Sequence, residues 1–287
     1  MTGHDAKRAT AMPLADLVDA TDAVAATSSR TAKGETLAEL LRAADLDEAA
    51  VVASLVAGEP SQGRVGVGWA TVATLDIAPA DTSELTVAEL DGLLDALGAE
   101  SGEGSNARRE ELLRRFLGRA TTREADFVRR LLFGELRQGA NQGVVVDGVA
   151  RAAAVPAAAV RRALMLSGDL GAAATIALRD GRAGLDAVGL ELFRPIQPML
   201  ASTAPDVETA MQGAGPVSVE WKLDGARVQV HRLDDQIRIW TRNLNDVTDR
   251  LPEVVAVETG SCATTARSSV SPEIGRASCR ERVYVLV

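Results

Sequence analysis

Lysine is nearly missing from this chain. Lys7, Lys33 and Lys222 are the only three among 31 basic residues, and arginine supplies the rest. Where any positive charge would serve, arginine has been taken; a lysine that persists is a candidate for what a guanidinium cannot do, which is to lose its proton and attack as an amine. Cysteine is as scarce: Cys262 and Cys279 are the only two, both within the last thirty residues. That excludes a disulfide framework and a cysteine-based zinc cluster. No apolar run reaches the roughly 20 residues a membrane span needs. The opening stretch, MTGHDAKRATAMPLADLVDA, has no basic-then-apolar leader pattern. A soluble cytoplasmic protein with no membrane partner is expected.

What is present is acidic overall, with a net charge of −9 and a pI near 4.9. The charge is unevenly spread. Residues 1–104 carry 18 acids and 6 bases, whereas residues 105–165 carry 12 arginines and 6 acids. A local basic region can bind phosphates on a globally acidic protein; the alternative is a set of solvated helix faces with no nucleic-acid role.

Helical spacing governs the first two-thirds of the chain. Leu37, Leu40 and Leu41 recur on one face, and Leu46, Val51, Val52, Leu55 and Val56 follow. The glycines of GEPSQGRVGVGW (58–69) form no phosphate-loop pattern and predict a tight-turned connection. A second helical run carries Val87, Leu90, Leu93, Leu94 and Leu97. Beyond it, RREELLRRFLGRA (108–120) and TREADFVRRLLFGELRQG (122–139) put leucine and phenylalanine inward and arginine outward. Thr122 is read as the helix start, its hydroxyl capping free N–H groups. Shorter helices are expected around Val144–Ala154 and Pro156–Leu166. RPIQPMLASTAP (194–205), with three prolines in twelve residues, marks an extended linker. Alternation then takes over: Val217, Val219, Trp221 and Leu223 interleave with polar residues. Val228, Val230, Ile237 and Ile239 follow about a turn at Asp234-Asp235, predicting an antiparallel meander with one buried face.

Within VSVEWKLDGAR, a period of two places Glu220, Lys222 and Asp224 on one face. Gly225 permits close backbone approach to a ligand, and Arg227 stands just beyond. An amine between two carboxylates, near a guanidinium and a glycine turn, suits a phosphate-bearing ligand; an exposed strand with ion pairs is the alternative. Trp221 and Trp240 read as core aromatics. His231 reads as structural, since nothing nearby supplies a metal-ligand set.

EWKLDGAR resembles the lysine motif of the covalent nucleotidyltransferases: DNA ligases, RNA ligases and mRNA capping enzymes. WTRNLNDVT resembles the ligase segment that follows it, and RPIQPMLA the entry to the adenylation domain of ATP-dependent DNA ligases. FGELRQGANQGVVVDGVARA, LADLVDATDAVAATSSR and RVGVGW resemble their helical DNA-binding domain. RNA ligases and capping enzymes share K-x-D-G but carry no long helical domain ahead of it. The resemblance spans residues 14–257 and implies a multidomain α+β architecture. Residues 1–190 would form an all-α DNA-binding domain, 191–215 a proline-rich linker, and 216–257 the start of an antiparallel-β nucleotidyltransferase (ATP-grasp-like) domain.

The resemblance also implies the chemistry. Lys222 would attack the α-phosphate of ATP, with Mg²⁺ neutralising the triphosphate, and the AMP would pass to the 5′-phosphate at a nick in duplex DNA. Glu220 would read the adenine amino group, Asp224 and Gly225 would shape the turn beneath the nucleotide, and Arg227 and Arg242 would contact ribose and phosphate. Arg137, Gln138 and Asn141 would touch DNA phosphates. No residue is nominated as a metal ligand. A monomer is expected; the sequence says nothing of a sliding clamp, nor whether replication, repair or recombination is served. A lysine near its ordinary pKa of about 10.4 is mostly protonated at pH 7, so nearby cations would have to lower that value against carboxylates that raise it.

Residues 258–287, ETGSCATTARSSVSPEIGRASCRERVYVLV, read as foreign to this pattern: a frameshift followed by a translated sequencing adapter, with an apolar pattern that matches no element and with no native role. On that reading the chain is a fragment cut short inside its adenylation domain and inactive in sealing. A non-catalytic duplex-DNA-binding module is then the rival account.

Overall fold

The computed structural model describes residues 11–63, 65–68, 72, 75, 77–136, 141–198, 203–212, 215, 227–260 and 281–286; of 257–260 and 281–286 the backbone alone is described. The chain divides into two compact units, one of residues 1–164 and 169–188, the other of 165–168 and 189–287.

The described part of the first unit is helical. Its helices are α1 (Leu14–Ala26), α2 (Arg30–Ala43), α3 (Leu46–Ala57), α4 (Val87–Ala99), α5 (Ser105–Leu117), α6 (Thr122–Leu132), α7 (Gln142–Ala152), α8 (Ala157–Ser167, whose last three residues fall to the second unit) and α9 (Leu170–Ala187). Their apolar stripes meet in one core: Leu17, Leu37, Leu55, Leu90, Leu94, Leu113, Leu117 and Phe127 are all fully buried. Each such side chain gains on the order of 1.5–3 kcal/mol from leaving water.

Helix ends follow local chemistry. Thr86 and Glu89 form a reciprocal capping box on α4, and Thr121 and Glu124 do the same on α6. The cap of α6 is therefore Thr121, one residue before the expected Thr122. The Thr-x-x-Glu spacing requires this, because only Thr121 stands three residues ahead of Glu124. Gly58 closes α3 in the left-handed conformation, at φ 71°. Small residues allow close helix crossings. A Cβ on Gly148 of α7 would lie 2.7 Å from the Leu37 Cβ of α2, and one on Gly171 of α9 would lie 2.8 Å from the Ala50 carbonyl of α3.

The second unit holds a three-stranded antiparallel sheet in the order β2–β1–β3, from β1 (Val228–Leu233), β2 (Gln236–Thr241) and β3 (Glu281–Leu286). Asp234 and Asp235 make the expected two-residue turn, with φ of 50° at Asp234. Two further helices belong here, α10 (Val207–Met211) and α11 (Pro252–Gly260), with a 3₁₀ turn at Thr248–Arg250. The short α10 lies inside the stretch read as linker.

Two expectations are corrected. The 258–287 stretch is not without an element, since its Glu281–Leu286 pairs residue by residue with β1. Nor does the hairpin bury a single face. Val230, Ile237 and Ile239 pack beneath Val247, Leu251, Val254 and Val255, yet Gln229, His231 and Trp240 on the opposite face are buried too. Polarity alternates along β1 as predicted, but the polar face is covered.

Candidate active site and nucleic-acid interface

The hairpin register decides where two of the expected nucleotide contacts stand. Val228 pairs with Thr241, so Arg227 and Arg242, one residue beyond each, sit at the same open end of the hairpin. In sequence that end is five residues from Lys222. Arg227 is half-buried, and its Nε is enclosed with no hydrogen-bond partner. A buried guanidinium N–H left unpaired is costly, and a ribose hydroxyl or phosphate oxygen would satisfy it. Arg242 is exposed on a braced turn. The Leu244 N–H donates to the Thr241 carbonyl at 2.9 Å, the Thr241 N–H to the Asn245 carbonyl at 3.0 Å, and the Asn245 N–H to the Thr241 hydroxyl at 3.3 Å. Below it, Asp246 accepts from the Thr248 hydroxyl at 2.6 Å and the Thr248 N–H at 2.9 Å. The Thr248 hydroxyl, first, then its N–H and the Arg238 charge, hold the Asp246 carboxyl below its ordinary value.

Glu220, Lys222, Asp224 and Gly225 lie outside the described residues, as do Arg137 and Gln138. Among the described residues no group of three or more His, Cys, Asp or Glu is placed to hold a metal ion.

On the opposite hairpin face sit residues the sequence gave no reason to single out as a pair. The Gln229 amide bonds the backbone of Ile196 at both ends: its Oε1 accepts from the Ile196 N–H at 3.0 Å and its Nε2 donates to the Ile196 carbonyl. His231 Nδ1 accepts the Phe193 N–H at 2.9 Å. Its ring meets Trp240 edge-on, with centroids 4.6 Å apart. Burial pushes the imidazole down to about 4, so it is neutral at pH 7. With Nδ1 accepting, the ring hydrogen is on Nε2, which is itself buried without an acceptor.

In the helical unit the arginine excess of residues 105–165 proves largely internal. Arg114 pairs with Glu110 at 2.8 Å, Arg119 with Glu89 at 2.9 Å, and Arg123 with Asp19 and Asp22 at 2.8 and 2.7 Å. Arg108 pairs with Glu100, while Arg109 donates to the carbonyls of Leu97 and Glu100. Many of these acids come from residues 1–104, so the two oppositely charged stretches fold onto each other. The surplus lies elsewhere. Arg30 of α2 and Arg161 of α8 both pair with Asp147 of α7 at 2.7 Å, two cations on one carboxylate, each more than half exposed. A third contact, from Arg30 to the Gly143 carbonyl at 3.4 Å, ties this cluster to the first turn of α7. Asn141 stands there as the helix cap, its side chain accepting from the Val144 N–H at 3.1 Å. Of the three expected DNA contacts it is the one described, and its side-chain oxygen already serves α7. Arg30 and Arg161 were not anticipated, because the pairing that distinguishes them joins residues 117 and 14 positions apart.

Two family models match the chain: "DNA ligase N terminus" over residues 74–150 and "ATP dependent DNA ligase domain" over residues 198–270. The second match runs past Val257, where the sequence resemblance had been taken to end. A "Probable DNA ligase" of Pseudarthrobacter chlorophenolicus is 51% identical over 249 residues, covering 87% of this chain and 49% of the relative. Proteins of the same description from Nocardia farcinica and Anaeromyxobacter sp. are 51% and 50% identical over 245 and 246 residues, each alignment covering 85% of this chain and 47% of the relative. The chain thus spans about half the length of the curated relatives it matches.

Proposed function

From a chain that carries the N-terminal and adenylation regions of the ATP-dependent DNA ligases, we propose that the protein it represents seals nicks in duplex DNA through an adenylate carried on Lys222. The Lys222 Nζ, once deprotonated, attacks the α-phosphorus of ATP; a P–N bond forms and the bond to pyrophosphate breaks. The AMP passes to the 5′-phosphate at the nick, regenerating the amine. The 3′-hydroxyl then attacks that phosphate and AMP departs. Mg²⁺ would neutralise the triphosphate, and the described residues assign it no ligands. Glu220, Asp224 and Gly225 keep the adenine-reading and turn-shaping roles the resemblance gives them.

The observation that carries this reading is the placement of Arg227, with its buried and unpaired Nε, beside Arg242 at the hairpin end that leads to Lys222. Two guanidiniums there suit ribose and phosphate, and their charge favours a neutral lysine nearby. Duplex DNA would lie against the Arg30–Arg161 cluster and the first turn of α7, where Asn141 stands; Arg137 and Gln138 keep the phosphate-contact role the resemblance gives them. Such contacts to phosphate are independent of base sequence, as nick sealing requires. The protein would act in the cytoplasm as a monomer.

The second reading, a duplex-binding module without catalysis, is favoured by the helical unit's own closed core. Incubation with ATP radiolabelled at the α-phosphate separates the two. An acid-labile label lost in Lys222→Ala supports the adenylate chemistry. Salt-dependent duplex binding, unlabelled and indifferent to Lys222→Ala, supports the binding module. We expect the 287-residue chain to bind without sealing.

A further inference from the structure

We propose that Gln229 and His231 are positioning residues, docking the Phe193–Ile196 segment onto β1 by its backbone so that the chain on both sides of Lys222 departs from one strand. The ties are unlike ordinary core contacts. Gln229 is the second residue of β1 and is 3% exposed, yet its amide points away from the sheet ladder and pairs with the N–H and the C=O of one residue, Ile196. That is the pairing a neighbouring strand would offer, supplied here by a side chain. His231, two positions on along the same face, takes the N–H of Phe193. Both ties are to main-chain atoms, so they fix the path of the segment whatever side chains it carries. Phe193 is itself held at φ 64°, in the left-handed region, a conformation a bulky residue keeps only when its surroundings demand it.

The Gln229–Ile196 tie spans 33 positions, and Lys222 falls within that span. Closing such a span costs chain entropy that grows slowly with its length; a bidentate buried amide offsets that cost and gives both ends one fixed origin. Arg227, two residues before Gln229, is held by the same strand. The clamp therefore fixes where the chain resumes at Arg227 relative to Ile196, and Lys222 lies between the two in sequence. Its bearing on catalysis rests on the ligase reading; the clamp itself does not.

The test uses the full chain with Gln229→Ala, Gln229→Glu and, as a control, Gln236→Ala, an exposed position on β2. Gln229→Glu keeps the size and the acceptor but turns a second oxygen on the Ile196 carbonyl, so a clamp predicts that it fails like alanine. Hydrogen exchange should rise by about tenfold or more at the Phe193 and Ile196 amides in both Gln229 variants, with β1–β2 ladder amides unchanged. Acylation of Lys222 by a small succinimidyl ester, read by mass spectrometry against Lys33, should change several-fold in the same variants and not in Gln236→Ala. Unchanged exchange at Phe193 and Ile196, or unchanged Lys222 reactivity, would overturn the proposal. Adding ATP decides the other question: failure of ATP to protect Lys222 in the wild-type chain counts against the ligase reading and leaves the clamp result standing.

Discussion

Acidification should loosen the sheet unit through His231 before it reaches Asp206 or Asp246. The ring is fully buried, its Nδ1 is committed to the Phe193 N–H, and burial holds its pKa at about 4. In the unfolded chain an imidazole titrates near 6.5. Between those values the unfolded state binds the extra proton, so stability falls as pH drops from about 6.5 to about 4 and levels off below. A shift of that size corresponds to at most roughly 3 kcal/mol. Two things contribute physically: a charge placed in a dry site, and an Nδ1 that turns from acceptor to donor against a backbone N–H. The carboxylates act in a lower window. Asp206 and Asp246 have depressed pKa values, caused chiefly by the hydroxyls of Thr209 and Thr248, so their stabilisation is lost only as pH falls below about 4. The assay is urea unfolding followed by Trp240 fluorescence, in a Trp69→Phe, Trp221→Phe background, from pH 7.5 to 4.5. His231→Gln retains an acceptor for Phe193 without a titrating ring and should flatten the curve. If both proteins lose stability in parallel over that range, the argument from His231 is wrong.

Other outcomes follow from the helical unit. Gly171→Ala should destabilise by about 1–2 kcal/mol, because the clash with the Ala50 carbonyl exceeds the gain in helix propensity. Gly92→Ala, where nothing lies within 4 Å, should instead stabilise by up to about 1 kcal/mol; thermal unfolding of the two variants reads the contrast. Thr121→Ala should cost about 1 kcal/mol through loss of the α6 capping box, measured the same way. In duplex binding, Arg30→Ala and Arg161→Ala should each lower the slope of log affinity against log salt by about 1, whereas Arg123→Ala, engaged with Asp19 and Asp22, should leave it unchanged.

The helices were legible because their information is local. Leucine stripes at helical spacing returned as the core of α2, α3 and α4, and Asp234-Asp235 made the turn it promised. The α6 start fell at Thr122 as expected, but its cap is Thr121, which the Glu124 three residues on had marked. What failed was knowledge that requires distant partners. Alternation along β1 correctly separated Val228 and Val230 from Gln229 and His231, but a polar face covered by a backbone segment 33 positions away looks identical, in sequence, to one facing water. The charge split between residues 1–104 and 105–165 was real as arithmetic and misleading as geography, since Asp19, Asp22 and Glu89 reach across to the arginines. The eight-residue motif around Lys222 pointed to the family that the comparisons return, and the strand register alone put Arg227 and Arg242 at one end of the hairpin.

Those cross-pairings bear on how the protein would meet its partner. An arginine beside an aspartate presents a dipole, and the potential of a dipole dies away with distance faster than that of a lone charge. Viewed from tens of ångströms, the paired arginines of α5 and α6 contribute little, and the acidic total dominates the far field. Approach to DNA would then be unaided, even opposed, until the Arg30–Arg161 corner comes within about a Debye length, some 8–10 Å at physiological salt. If duplex DNA is the partner, capture by such a surface would be slow to begin and local once made, and would favour a protein that already lies along the duplex over one arriving from solution.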